Sequence, residues 1–567
     1  HLERQVVVDH TVIRQADERL QDPGIAFAEG AFSLDGIDEP ERTPERADGP
    51  RFRADLCRQL LERQLGLLGE DDPVDREELG GACGFGLLDG LGGGTELFED
   101  LADGSRSFAQ ELGHLRIVLT FRRHHNDAPG DACYTQSLTL RPSRPARSRI
   151  TLGAMTTPLP DSGRDPDELR GILADWQTGD IDWKGGRAFS LVYNADDPVL
   201  EALQHDVASR FLHENALNPF VYPSLLRMER EVVAVAADLF GTNPDAGTMT
   251  SGGTESIFLA VYTAREEARE RGVDHPNLVL AATAHPAFTK AAHYLGVEEI
   301  RVPVGPDLRA DPAAMAARVE SNTALIVGSA PCYPYGVIDP IAELAQVALA
   351  RGTLCHVDAC LGGWLLPFWE AIGEPVPPWN FAVEGVTSIS ADIHKYGYCF
   401  KGASVVMYRD VALKRRQHFL FDDWPGGLYG SATTAGTRPA APIAAAWATI
   451  QHLGRDGYLA KARAVKAATD TFLDGVRSID ELQISGQPDM SLFEFASSAG
   501  ADATGAIGDV MDDRGWHLDR QQGGLHLMVS PGHLRVADDF VADLRHAVAN
   551  RGASRGIAAS YGGVAGS

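Results

Sequence analysis

From about residue 250 to residue 410 the chain repeats one pattern: a short β-branched, aliphatic run, a turn of small and polar residues, then a helical stretch. The runs read NLVLAAT, EIRVPV, TALIVGS, TLCHVDA, GVTSIS and ASVVMYR. Helical periodicity fills residues 254–271, 286–295, 311–320 and 340–351 between them. Strands separated by crossovers of that length pair in parallel, because a tight hairpin cannot return the chain to the same end of a sheet. Runs apolar throughout are covered on both faces. The pattern predicts an α/β fold: a mostly parallel sheet flanked by helices.

The flanks differ. Residues 197–214 and 223–241 read as amphipathic helices, the second closed by Gly241. After about residue 440 come two helical stretches, 442–453 and 456–478, then shorter strands and helices at 492–496, 504–513, 525–530 and 536–550. That order predicts a smaller C-terminal α+β domain over 441–567, behind a large domain over 241–440 and an N-terminal arm with helices over 155–240. Residues 1–154 carry no Met and no Lys, with Met155 and Lys184 the first of each. We read 1–154 as a lead segment foreign to the fold or poorly ordered, with Met155 a candidate start; the rival reading is a genuine, weakly structured leader.

Composition excludes some partners. A net charge of −28 disfavours nucleic acid and anionic membrane surfaces. No apolar run is long enough to cross a bilayer. The seven cysteines are odd in number, scattered and not in metal-ligand spacing, which is expected of free thiols in a reducing cytoplasm and of a chain without a metal site.

The chemistry lies where the apolar runs end. In SISADIHKYGYCFKG, Lys395 stands between apolar segments beside His394. Burial lowers the pKa of an amine and makes it a good Schiff-base former. In HVDACLGG, Asp358 closes a strand, the end at which open α/β sheets bind ligands. A carboxylate there holds a cationic ring nitrogen, as the electron sink of pyridoxal phosphate requires. In TMTSGGTES, Gly252, Gly253 and Thr254 offer backbone N–H groups and a hydroxyl to a phosphate at a helix N-terminus. In AATAHPAF, His285 follows a strand and precedes a helix, where a flat imidazole can stack on a cofactor ring. Taken singly, each has a commoner explanation: a surface lysine, a helix cap, a turn, a core histidine. The ordered set of four, each closing a β-like run, is far more specific.

With those motifs, and with GVIDP and GSATTAGTRP, residues 185–550 resemble fold-type I pyridoxal-phosphate enzymes of the group II decarboxylase superfamily, and within it the sphingosine-1-phosphate lyases. The resemblance implies pyridoxal 5'-phosphate as cofactor, Lys395 as its Schiff-base lysine, Asp358 on the ring nitrogen and His285 stacked on the ring. Gly253, Thr254 and His394 match cofactor-phosphate positions. Gly430 and Ser431 match a segment that reaches the same phosphate from a second subunit, which implies a homodimer with interfacial active sites. Tyr193 and Lys401 match contacts to the substrate phosphate, and Tyr333 an active-site tyrosine. One position departs: Asn218, in NALNP, stands where the lyases carry a phosphate-binding histidine, and an amide brings no charge. The resemblance also implies a soluble, bacterial-type member without the membrane anchor of eukaryotic lyases.

The expected reaction is carbon–carbon cleavage of a phosphorylated long-chain amino alcohol to a fatty aldehyde and phosphoethanolamine, with Lys395 and Tyr333 as candidate bases. An amino-acid decarboxylase acting on glutamate, aspartate or an aromatic substrate is the alternative. A scaffold without chemistry is a third reading, opposed by the intact Lys395, Asp358 and His285.

Overall fold

The computed structural model describes residues 2–7, 116–123, 133–139, 159–218 and 220–560. Within 1–154 three strands are described, β1 (Leu2–Val7), β2 (Arg116–Arg123) and β3 (Cys133–Thr139), joined as an antiparallel sheet in the order β1-β2-β3. The expectation that this segment is foreign or poorly ordered otherwise falls outside the described residues.

The main body is organised by a seven-stranded sheet in the order β4-β10-β9-β8-β7-β5-β6. Its strands are β4 (Gly247–Thr250), β5 (Asn277–Ala281), β6 (Glu298–Val302), β7 (Thr323–Ser329), β8 (Leu354–Asp358), β9 (Ser388–Ala391) and β10 (Ser404–Tyr408). Strands β9, β8, β7, β5 and β6 pair in parallel, while β10 runs antiparallel to both β4 and β9. Every residue of β4, β5, β7, β9 and β10 is buried. Edge strand β6 leaves Glu298 and Arg301 exposed. This is the burial that continuous apolar runs require inside a covered sheet, with charge tolerated only at the rim. All six strand runs read from the sequence are strands here.

Helices Gly253–Glu270, Ala287–Leu295 and Ile341–Arg351 fill the crossovers, and Pro223–Phe240 packs beside them. Three of these four end on a glycine with positive φ (Gly241, Gly296 and Gly352), where a left-handed residue stops the helix without a Cβ penalty. The stretch 311–320 is helical only over Pro312–Ala316. The expected pair 442–453 and 456–478 is found as two helices within Ala440–Arg477, parted at Gly454, whose φ of 53° and ψ of −173° are not helical.

The smaller domain carries an antiparallel sheet in the order β13-β14-β16-β15, built from β13 (Leu482–Ile484), β14 (Leu492–Ser497), β15 (Asp519–Arg520) and β16 (Leu525–Met528). Its core is aromatic. Phe189 lies fully buried with Phe472 edge-on at 5.2 Å and the His533 ring stacked at 4.4 Å. Backbone bonds from Phe189 to His517 and from Met528 to Phe189 stitch this arm residue into the small domain, although it lies some 300 residues upstream. A hairpin of β11 (Phe419–Phe421) and β12 (Tyr429–Ser431) projects beside the large sheet, a feature the sequence pattern does not announce.

Candidate active site

At the carboxyl ends of β4, β5, β7, β8 and β9 lies a cavity of about 330 Å³, within the range of small-molecule sites. Gly252, Gly253, Thr254, His285, Tyr333, Asp358, His394 and Lys395 all line it. Eight residues, chosen from motifs up to 143 positions apart, therefore converge on one space.

Lys395 lies in the turn after β9. Its Nζ stands 3.1 Å from Asp392 Oδ2, and only 16% of the side chain is exposed. Burial alone would raise the Asp392 carboxyl, but the charge of Lys395 holds it below its usual range. The lysine is thus kept beside a compensating anion, which answers why a chain can afford an amine between apolar segments. Asp392 Oδ1 is buried without a hydrogen-bond partner among protein groups.

His394 is pushed down to about 4 by burial, against the pull of Asp392, and is therefore neutral at physiological pH. Its Nδ1 accepts the Ala403 N–H at 3.2 Å, so its proton sits on Nε2, 3.6 Å from Asp392 Oδ2. His285 is likewise lowered by burial, with Asp358 opposing. Its Nδ1 accepts the Ala287 N–H at 3.1 Å, which fixes the same tautomer. Asp358 ends β8, buried, and accepts the Cys360 N–H at 3.1 Å and the Ser390 hydroxyl at 3.4 Å.

The glycine loop runs close against its neighbours, most tightly at Gly253. A Cβ on Gly253 would meet Cys360 Sγ at 2.7 Å and Asp392 Oδ2 at 2.8 Å, and one on Gly252 would meet His394 Cε1 at 3.2 Å. Glu255, buried at the start of the following helix, locks the loop from behind. Its carboxylate accepts the Ser251 N–H and hydroxyl at 2.7 and 2.8 Å, and on its other oxygen the Thr434 N–H at 2.9 Å. Burial raises its carboxyl, but those donors outweigh it and the net shift is downward. Nothing in the sequence spacing pointed to Glu255, which sits 179 residues from Thr434.

Five expected residues do not line the cavity. The Tyr193 hydroxyl lies 3.3 Å from Met528 Sδ, and its ring stands edge-on to Tyr396 at 5.0 Å. The Lys401 ammonium sits 4.9 Å over that Tyr193 ring and donates to the His394 carbonyl at 3.3 Å. Desolvation, then the Lys395 charge, lowers its pKa to about 8; the side chain as a whole stays exposed, so the amine remains largely protonated at neutral pH. Gly430 and Ser431 belong to the exposed hairpin, and the Ser431 hydroxyl donates to the Thr433 carbonyl at 2.8 Å. Asn218 is exposed, its side-chain oxygen accepting the Phe220 N–H at 3.0 Å, a local turn away from the cavity. Candidate base Tyr333 does line the cavity, but its hydroxyl donates to Asp519 Oδ2 at 2.6 Å, a partner absent from the sequence reading.

One neighbour of Lys395 reaches outward. The buried Tyr396 hydroxyl donates to the Val529 carbonyl at 3.0 Å and receives the Ser491 hydroxyl at 2.7 Å, both in the small domain.

The set fits pyridoxal 5'-phosphate. A buried amine suits its aldehyde, a strand-end carboxylate its ring nitrogen, an imidazole its ring face, and a backbone cradle closed to any Cβ its phosphate. Among the described residues no group of His, Cys, Asp and Glu is arranged to hold a metal ion, and no helix is long and apolar enough to cross a membrane.

Comparison with known proteins bears on the same site. The pyridoxal-dependent decarboxylase conserved domain matches residues 177–497. A sphingosine-1-phosphate lyase of Arabidopsis thaliana is 42% identical over 402 residues, covering 68% of this chain and 73% of that protein. The structure of a sphingosine-1-phosphate lyase from Burkholderia pseudomallei superposes with a TM-score of 0.67 at 39% identity, covering 70% of this chain and 92% of the other. A glutamate decarboxylase of Lactobacillus brevis, 21% identical with a TM-score of 0.60 over 69% of this chain and 94% of its own, shares the fold.

Proposed function

The chain belongs to the pyridoxal-dependent decarboxylase family, among its sphingosine-1-phosphate lyases, and from that premise we propose that it cleaves the Cα–Cβ bond of a phosphorylated long-chain amino alcohol, releasing a fatty aldehyde and phosphoethanolamine. The observation that carries the reading is the convergence of Lys395, Asp358, His285 and the Gly252–Thr254 loop on one cavity that Tyr333 also lines.

When bound, pyridoxal 5'-phosphate supplies an aldehyde that condenses with amines and a cationic ring that accepts electrons. Lys395 would hold the aldehyde, Asp358 would face the ring nitrogen and keep it protonated, His285 would lie against the ring, and the glycine loop with Thr254 and His394 would hold the phosphate. Lys401 and Tyr193, paired over one another beside His394, anchor the substrate's own phosphate by charge and hydrogen bond.

The same proposal includes a homodimer in the cytoplasm. Free thiols at Cys332, Cys355, Cys360 and Cys399 accord with a reducing compartment. Phe419, Leu420, Phe421, Trp424 and Leu428 expose 47–73% of their surface on and around the hairpin that carries Gly430 and Ser431, an apolar face suited to a second copy.

The test is to incubate the holoenzyme separately with a phosphorylated long-chain base, glutamate, aspartate and tyrosine. Fatty aldehyde from the first is the expected outcome. Carbon dioxide from an amino acid, with no aldehyde, would replace this reading with the decarboxylase.

A further inference from the structure

Tyr333 is held in an unusual way for a residue facing a reaction cavity. It lies in the turn that follows β7, in the large domain, yet its proton points at Asp519 of β15, in the small domain, 186 residues later. The O–H···O distance of 2.6 Å is that of a charge-assisted bond. The other carboxylate oxygen accepts the Ser190 hydroxyl at 2.7 Å, and His517 Nε2 stands 3.7 Å from it. Opposite Asp519 in the β15–β16 ladder is His526, whose ring lies 4.5 Å from the Tyr333 ring. His526 is fully buried, and desolvation lowers its pKa to about 4, so it packs as a neutral wall. Tyr333 therefore has its ring fixed by His526 and its one proton committed to a carboxylate.

A phenol has one proton and two lone pairs. With the proton given to Asp519, what Tyr333 offers to the cavity is acceptor capacity. The lyase substrate brings a matching donor, the hydroxyl on the carbon that becomes the aldehyde. We propose that Asp519 is a positioning residue that makes Tyr333 the acceptor for that hydroxyl proton, itself receiving the phenolic proton as the Cα–Cβ bond breaks. The inference rests on the lyase reading above.

The step balances. The substrate O–H bond breaks as the C–O bond becomes C=O. The hydroxyl proton passes to Tyr333 Oη, and the former Tyr333 proton to Asp519 Oδ2. The electron pair of the broken Cα–Cβ bond remains on the Cα side and ends in a new C–H bond. The new C–H bond takes its proton from solvent by way of the freed Lys395 amine, and Asp519 returns its proton through Tyr333 to solvent, so one proton leaves and one enters and the cleavage consumes no oxidant and no net acid.

The geometry separates two reactions. Cleavage needs an acceptor at the hydroxyl, whereas exchange of the Cα protons of phosphoethanolamine in heavy water does not, because that molecule has no such hydroxyl. In the holoenzyme, Asp519→Asn keeps an acceptor for the Tyr333 proton but cannot take it up at neutral pH. Its expected signature is a fall in kcat for aldehyde release of about 10²- to 10³-fold with KM within about twofold, the usual scale for losing proton transfer. Exchange, followed by proton NMR, stays within about threefold of the native rate. Tyr333→Phe, which leaves the Asp519–Ser190 bond in place, gives the same signature, and the double variant is no slower than Tyr333→Phe alone. Should Asp519→Asn not fold, Tyr333→Phe carries the test by its own split between cleavage and exchange.

Native-level cleavage in Asp519→Asn would overturn the relay, as would cleavage and exchange falling together in either variant. If the native enzyme exchanges phosphoethanolamine but releases no aldehyde, the lyase reading falls and the relay with it. If the native enzyme cleaves normally and only the variant result is wrong, the relay alone falls.

Discussion

The inner wall of the cavity and the 419–436 segment beside it are built on opposite terms. The wall is made of strand ends. Asp358 ends β8 and Asp392 and Lys395 follow β9 within a few residues; Asp358 is held by Cys360 and Ser390, and Lys395 pairs with Asp392. The segment is a short hairpin with apolar side chains turned to solvent and one firm tie to the wall, Thr434 on Glu255. In the first region charged groups are paired with one another at buried strand ends; in the second, apolar side chains are left in solvent on an outlying ribbon.

The largest effect should come from the wall. Lys395→Ala removes the one amine that lines the cavity among the described residues, and we expect loss of the visible absorbance of protein-bound cofactor, with activity down on the order of 10⁴-fold or more. An absorbance band that persists would show that the wall is not where the cofactor is held. Next comes the ribbon. Leu420→Asp sets a charge on the exposed apolar face and should halve the mass seen by sedimentation, lowering activity roughly 10-fold or more while the chain stays folded. A variant that stays associated, or a monomer with full activity, would erase the contrast between the regions.

The smallest effect concerns Lys401, at the margin of both. Its pKa is lowered to about 8, so its charge is present below that pH and lost as pH rises through it. KM for a phosphorylated substrate should be flat up to about pH 8 and then climb, by at most about tenfold per unit. Lys401→Arg, whose guanidinium stays charged throughout, should flatten the climb. A KM indifferent to pH in the native enzyme would remove Lys401 from the phosphate site.

The legibility of the site follows the same division. Lys395, Asp358, His285 and the glycine loop were readable because each ends an apolar run, and the sheet's parallel topology brings such ends together. Five of the six strands were readable because burial on both faces leaves a continuous apolar signal, and the half-exposed edge strand β6 by its place in the same rhythm. Asp519 and Glu255 were not, because their partners Tyr333 and Thr434 lie 186 and 179 residues away and meet only through tertiary packing. Asn218, Tyr193 and Lys401 were placed by family resemblance, which transfers a role but not a position; here Asn218 spends its acceptor on a local turn. The hairpin of β11 and β12 was missed because its apolar residues are exposed, so no alternation of inside and outside marks it.

Tyr396 gives the molecule one further property. It follows Lys395 directly, and its hydroxyl is bolted to Ser491 and Val529 of the small domain. The residue beside the reactive nitrogen is thereby pinned at two points to the small domain. Where Lys395 stands in the cavity thus depends on how that domain is docked, and a substitution as remote in sequence as Ser491→Ala reaches the chemistry through one buried phenol.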